Sequence, residues 1–299
     1  MKLRLVRNGV FPVRENHGAG EGNTFKTGFS IPGTIQGEGK LAGIPSIFIR
    51  TTGCNLRCTW KNDLGMVDIC DTAYSSHHVR DFEEWEIAEI VETVGNNLGN
   101  IRHAVITGGE PCLQPEAVVK LASMLKKQLK IRITIETNGT IYVPELASNV
   151  DFFSISPKLR SSEPDQAKNK ILEHPVEEKF IRDHSKFRVN TAVIQKYINS
   201  CLVSDTYYND LPATPVRSRD KDFQLKFVIA RKEDENEIRN DFLSKLGNVN
   251  PEDVLVMPLG STPEKTIIHA GIAAEMAIRN GWRYAPRIHL DLFGDMEGV

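Results

Sequence analysis

PSIFIRT at Pro45–Thr51 runs without a break into TGCNLRCTWKNDLGMVDICDT at Thr52–Thr72. The first part is short, apolar and β-branched between turn residues, which reads as a buried strand. The second leaves the end of that strand and holds three of the five cysteines, Cys54, Cys58 and Cys70, spaced C-x3-C-x11-C with no fourth Cys near in sequence. Taken alone, the spacing has three readings. Cysteine often serves as a small buried hydrophobe, although the Asn, Arg, Lys, Asp and Gly around these argue against a core segment. With His77 or His78 the three would make a Cys3His zinc site, since C-x3-C falls within the usual ligand spacing. Three thiolates also hold three irons of a [4Fe–4S] cluster, which commonly takes four Cys ligands, and leave one iron open to a small molecule.

Outward from this stretch, strand and helix patterns alternate. Ile87, Ile90, Val91 and Val94 form a helical stripe, and the strand His103–Thr107 then runs into Gly108-Gly109-Glu110-Pro111. A second stripe, Val118, Leu121, Ala122 and Leu125, precedes the strands Ile131–Glu136 and Asp151–Ser156, which end in TNGT and PK. Phe223–Ala230 and Asp253–Pro258 read as two more strands. Ile238, Phe242 and Leu246 follow the first at helical spacing, and Ile268, Ile272 and Met276 follow the second. Such alternation implies a parallel sheet. Polar and Gly residues gather at the strands' C-terminal ends, where parallel barrels build their active sites. Residues 1–28 show little periodicity and read as an irregular extension, and residues 159–222 read as an insertion carrying a possible helix near Asn190–Cys201. The whole chain is expected to form a single domain.

At 299 residues, 40% hydrophobic and 25% charged with a net charge of -2, the composition is that of a soluble globular protein with no electrostatic reason to bind nucleic acid. Neither a secretory h-region nor a membrane-length apolar run is present, and an odd, clustered cysteine set suits a reducing compartment. These features predict a cytoplasmic protein.

Gly108-Gly109-Glu110 offers close backbone approach and a carboxylate acceptor for an ammonium group. Together with a three-cysteine loop one helix earlier it resembles the radical S-adenosylmethionine superfamily, in which the methionyl amino and carboxylate groups chelate the open iron. The match narrows further. IQGEG at Ile35–Gly39, FIR at Phe48–Arg50, GCNLRC, CDT at Cys70–Thr72, ITGGEP at Ile106–Pro111, ETNGT at Glu136–Thr140 and SPK at Ser156–Lys158 stand in the order seen in the 7-carboxy-7-deazaguanine synthase family. QLKFV at Gln224–Val228 and the C-terminal PRIHLDLFGDMEGV are similar too.

The resemblance implies an α/β fold, an incomplete TIM-like barrel of about six parallel strands with helices outside. It implies conversion of 6-carboxy-5,6,7,8-tetrahydropterin to 7-carboxy-7-deazaguanine with loss of ammonia, using a [4Fe–4S] cluster, S-adenosylmethionine and Mg²⁺. It also implies a flavodoxin- or ferredoxin-type reductant and a homodimer. Carried over by motif, Cys54, Cys58 and Cys70 hold the cluster and Thr72 the Mg²⁺. Gly108, Gly109, Glu110, Asn138, Ser156, Pro157 and Lys158 bind the cofactor. Ile35, Gln36, Gly37, Glu38, Arg50, Thr107 and His289 bind substrate, with the Arg50 fork suited to a carboxylate. One departure stands out: the common family pattern is C-x3-C-x2-C, so Lys61–Ile69 adds nine residues before the third ligand, a polar, Gly-containing surface excursion. Cys112 follows the GGEP turn but lacks the CDT context, and Cys201 reads as structural. A glycyl-radical activase would share the cysteines and GGE but not IQGEG, Arg50 and CDT. A zinc-stabilised binding module would leave the GGE, TNGT and SPK segments without a role.

Overall fold

The computed structural model describes residues 1–13, 25, 27–61, 67–77, 79, 81–204, 215–294 and 296. The chain begins in a strand, β1 (Lys2–Phe11), not in the irregular extension expected for residues 1–28. Leu3 and Leu5 are buried and alternate with exposed Lys2 and Arg4, the period of a half-buried strand. The alternation breaks at Asn8, whose φ of 55° accompanies a shift of register between Leu5 and Val10. Residues 14–24 and 26 of that extension lie outside the described residues.

After the short β2 (Thr34–Ile35) comes β3 (Pro45–Thr51) as expected, followed by the cysteine loop. Part of the nine-residue insert is ordered: β4 (Thr59–Lys61) and β5 (Val67–Ile69) pair as an antiparallel hairpin, with residues 62–66 outside the described set. Then follow α1 (Ala73–Ser76), β6 (Phe82–Glu86), α2 (Ile87–Asn97), β7 (His103–Gly108), α3 (Pro115–Met124), β8 (Arg132–Thr137) and β9 (Phe152–Ile155). Next are α4 (Gln166–Asn169), α5 (Glu178–Phe187), α6 (Thr191–Asn199) and the hairpin β10 (Leu202–Ser204)–β11 (Pro215–Arg217). The chain ends with β12 (Asp222–Ile229), α7 (Asp234–Glu237), β13 (Val254–Pro258), α8 (Pro263–Asn280), β14 (Arg283–Tyr284) and α9 (Ile288–Phe293).

The main sheet runs β14-β13-β12-β9-β8-β7-β3-β1-β6. Its six full strands β3, β7, β8, β9, β12 and β13 pair parallel throughout, and β1 and β6 add an antiparallel flank. This is the mostly parallel sheet of a partial barrel. Alternation sorts the strand residues. Ile49, Ile106, Ile135, Phe153, Leu225 and Phe227 join the core beneath the helices, a core that extends from Leu3 to Ala277. Arg50, Thr107, Glu136 and Lys226 fall between them and face the opposite side.

Two expectations need correcting. Residues 159–222 are more than an insertion: parallel β9 and β12 require a crossover, and α6 lies between them in sequence with Ile194, Tyr197 and Ile198 wholly buried. In α8 the buried face is His269, Ala273, Met276 and Ala277, whereas Ile268 is 53% exposed. The small Ala273 and Ala277 side chains, not the larger Ile268, sit on the side that meets the sheet.

Candidate active site

At the C-terminal ends of the parallel strands the register sets one polar layer across the sheet. Arg50 is level with Thr107, Glu136 with Ser154, and Ser154 with Gln224. Hydrogen bonds join the neighbours: Thr107 Oγ1 donates to Glu136 Oε2 at 2.7 Å, and Gln224 Nε2 donates to Ser154 Oγ at 2.8 Å. Arg50 differs. Its guanidinium packs against the Phe11 and Tyr74 rings, 5.4 and 5.8 Å from their centroids, and its Nε is buried with no hydrogen-bond partner among the described residues. A buried donor left open is costly unless a ligand fills it.

This layer forms the floor of a cavity of about 240 Å³, room for a small molecule and far more than one ion needs. Cys54, Cys58 and Cys70 line its wall. Their loop is anchored from both sides. Gly53 accepts from the Glu110 N–H at 2.8 Å and donates to the Ser75 carbonyl at 2.8 Å. A side chain at Gly109 would place its Cβ 2.2 Å from the Gly53 oxygen, so only glycine permits the two turns to meet. Asn55 bonds Asn138 and Thr140 across the loop, each at 2.9 Å. Burial pushes the Cys54 thiol up to about 12 and raises Cys58 as well, with Cys70 disfavouring ionisation of both and Cys54 that of Cys58. Such thiols become thiolates when a bound cation displaces their protons. Among the described residues no three Cys, His, Asp or Glu side chains converge on the centre of a single metal ion. His77 does not complete a Cys3His site, and His78 lies outside the described residues. The donor set, three soft thiols spread along the wall of a roomy cavity, fits a multi-iron cluster with an open face.

Opposite the cysteines lies the loop Ile35–Glu38. Gln36 shapes it, accepting from the Glu38 N–H at 3.1 Å and donating Nε2 to Glu136 Oε1 at 3.1 Å. Gly37 packs so tightly on the His289 ring that a Cβ there would lie 2.1 Å from Nδ1. Burial opposes ionisation of Glu38, yet Lys226 and Arg287 outweigh it and hold the carboxyl well below the usual range. Lys226 Nζ donates to one Glu38 oxygen and Arg287 Nε to the other, the latter at 2.9 Å. His289 sits 3.9 Å from Glu38, and burial lowers its pKa more than Glu38 raises it. It lies in α9.

Most of the residues singled out from sequence thus come together on one cavity: Ile35, Gln36, Gly37, Glu38, Arg50, Cys54, Cys58, Cys70, Thr72, Thr107, Gly108, Gly109, Asn138, Ser156, Lys158 and His289. Two do not. Glu110 is completely buried and does not line the cavity. Its carboxylate accepts from the Cys112 N–H at 3.0 Å, Thr137 Oγ1 at 2.8 Å and the Asn138 N–H at 2.7 Å, clamping the turn after β7 to the turn after β8. It is therefore not placed to meet a ligand's ammonium group. Pro157 is buried behind its neighbours Ser156 and Lys158, whose side chains bond each other at 2.8 Å. Cys112 is likewise buried, away from the other thiols, next to Tyr197. Sequence reasoning missed Trp60, Asp71, Glu136, Lys226 and Arg287, all of which line the cavity. A signal existed for two: Glu136 and Lys226 interrupt apolar strands at the alternate positions that face away from the helices.

Comparison with known proteins agrees with this geometry. The Radical SAM superfamily model matches residues 48–182. A 7-carboxy-7-deazaguanine synthase of Halobacterium salinarum is 32% identical over 273 residues, covering 88% of this chain and 88% of the relative. One from Rhodopirellula baltica is 30% identical over 264 residues, covering 88% and 85%. The solved structure of QueE from Escherichia coli shares the fold, with a TM-score of 0.54 at 22% identity over 86% of this chain and 91% of that one. No helix among the described residues is long and apolar enough to cross a membrane. From relatives matched over nearly its whole length, and from the three-thiol cavity that the superfamily's chemistry needs, the chain belongs to the 7-carboxy-7-deazaguanine synthase family of radical S-adenosylmethionine enzymes.

Proposed function

We propose that the chain converts 6-carboxy-5,6,7,8-tetrahydropterin to 7-carboxy-7-deazaguanine with release of ammonia. The observation that carries this reading is the open Arg50 Nε, set in one register layer with Thr107 and Glu136 and in the same cavity as the three thiols. Cys54, Cys58 and Cys70 would hold the [4Fe–4S] cluster. Gly108, Gly109, Asn138, Ser156 and Lys158 would bind S-adenosylmethionine. When bound, these two groups supply one-electron reduction and radical hydrogen abstraction. The protein's own part is binding and orientation. Arg50 takes the substrate carboxylate through its planar fork, while Glu136, already accepting from Thr107 and Gln36, keeps acceptor capacity for a ring N–H. Thr72, which lines the cavity, would offer a hydroxyl to Mg²⁺. The family resemblance also supports a flavodoxin or ferredoxin as electron donor, a homodimer and a cytoplasmic location.

Anaerobic reconstitution followed by metal analysis and product mass spectrometry tests this. The expected result is about four irons and four sulfides per chain with formation of the carboxydeazaguanine. Stoichiometric zinc with no iron uptake, or cleavage of S-adenosylmethionine with no product from the carboxypterin, would overturn it.

A further inference from the structure

Arg287 stands where three segments distant in sequence meet, and it is 8% exposed. Its Nε donates to Glu38 at 2.9 Å, one terminal nitrogen to the Asp71 carboxylate and the other to the Gly260 carbonyl. Glu38 belongs to the loop across from the thiols, Asp71 lies between Cys70 and Thr72, and Gly260 follows β13. Two residues further on, the ring of His289 fills the space at Gly37. The start of α9 therefore grips the loop twice, once through a charge and once through shape. The Ile288 N–H adds a third hold on the Gly37 carbonyl at 2.9 Å.

The guanidinium serves its three acceptors from three separate nitrogens, whereas an ammonium carries its three donors on one atom at the end of a flexible stem. Nor is this a solvated surface pair, whose contribution would be small. Removing one partner of a buried network leaves charges uncompensated and free to seek others. The others at hand are a divalent cation and the ligand itself, because Asp71 would lose its cation and Glu38 would keep only Lys226, and both are oxygen donors on the cavity wall.

We propose that Arg287 is a positioning residue: it sets the spacing between the Ile35–Glu38 loop and the Cys70–Thr72 turn and keeps both carboxylates turned from the ligand. This rests on the reading that the loop contacts the pterin. Arg287 itself acts through Glu38 and Asp71.

The test uses reconstituted holoenzyme with S-adenosylmethionine present and 6-carboxypterin as the binding probe, followed by its fluorescence. Arg287→Gln and Arg287→Lys are expected to weaken probe binding at least tenfold while iron and sulfide content per chain stays at the wild-type level. The double variant Arg287→Gln with Asp71→Asn removes the uncompensated charge, so it is expected to recover the urea midpoint without recovering affinity. It also supplies the answer if Arg287→Gln alone fails to fold. Wild-type affinity in Arg287→Gln, or recovery of affinity together with the midpoint in the double variant, would reduce Arg287 to charge compensation and overturn the proposal. Absence of probe binding in the wild-type holoenzyme would instead overturn the reading of the loop, and the proposal with it.

Discussion

Arg50 and Glu110 are both charged and both at the ends of parallel strands, yet their surroundings give them opposite tasks. Arg50 keeps a buried donor with no partner among the described residues, beside the cavity. Replacement by Lys preserves the charge and loses the fork, so turnover of the carboxypterin should fall at least tenfold while uncoupled cleavage of S-adenosylmethionine continues; steady-state assays of both products check this. Glu110 has every described hydrogen bond directed inward. Glu110→Ala would leave two backbone N–H groups and the Thr137 hydroxyl without their acceptor, a loss of about 3 kcal/mol at roughly 1 kcal/mol or more per orphaned group. Equilibrium urea unfolding reads that loss, and the variant's residual affinity for S-adenosylmethionine should be close to wild type in the folded fraction. The motif GGE made Glu110 look like a ligand because sequence shows a carboxylate beside two glycines but not which way it points. Arg50 was legible because its strand is short and apolar, and a lone cation closing such a strand has few structural reasons to be there.

The β4–β5 hairpin shows the same limit at the scale of an element. Its stem is built into the site: Trp60 is buried against Cys58, Leu259 and Cys70, Asp68 and Ile69 line the cavity, and Lys265 of α8 bonds Asp68 at 2.6 Å. Excision of all nine inserted residues would therefore remove part of the cavity wall. Replacing only residues 62–66 by Asn-Gly, a two-residue turn suited to paired strands, should leave iron content unchanged, whereas Trp60→Ala should lower it; iron and sulfide analysis after reconstitution separates the two. The parallel strands were legible because each is a mainly apolar run with turn residues at its end. The first strand was not, since its alternation lasts only until the bulge at Asn8, and a polar hairpin reads like a loop when its pairing partner is not yet known. In α8 apolar size alone favoured Ile268, which is exposed, although Met276 of the same stripe is buried and Ile272 packs against the core.

Across the whole molecule, acid should weaken the sheet at its far end. His103 lies between Ser46 Oγ and Thr134 Oγ1, each at 2.7 Å, and burial lowers its pKa from 6.5 to about 4. A folded pKa below the unfolded one means that the unfolded chain binds the proton first, so the stabilisation is complete above pH 6.5 and is lost as pH falls towards 4. Between pH 8 and pH 5 this group alone should remove about 2 kcal/mol, and His103→Gln should flatten that part of the urea-derived stability profile. The cavity end obeys a different rule, set by its ions. Leaving the thiols aside, the cations lining its wall are Arg50, Lys158, Lys226 and Arg287. The carboxylates are Glu38, Asp68, Asp71 and Glu136, with burial favouring a neutral His289. Lys226 and Arg287 meet Glu38 and Asp71, Lys265 meets Asp68 from outside, and Arg50 has no carboxylate partner among the described residues. A ligand bringing a single carboxylate would give that guanidinium its counter-charge, while the corresponding methyl ester or amide would leave it uncompensated. Because the Arg50 donor is buried, dissolved salt would do little to erase the preference.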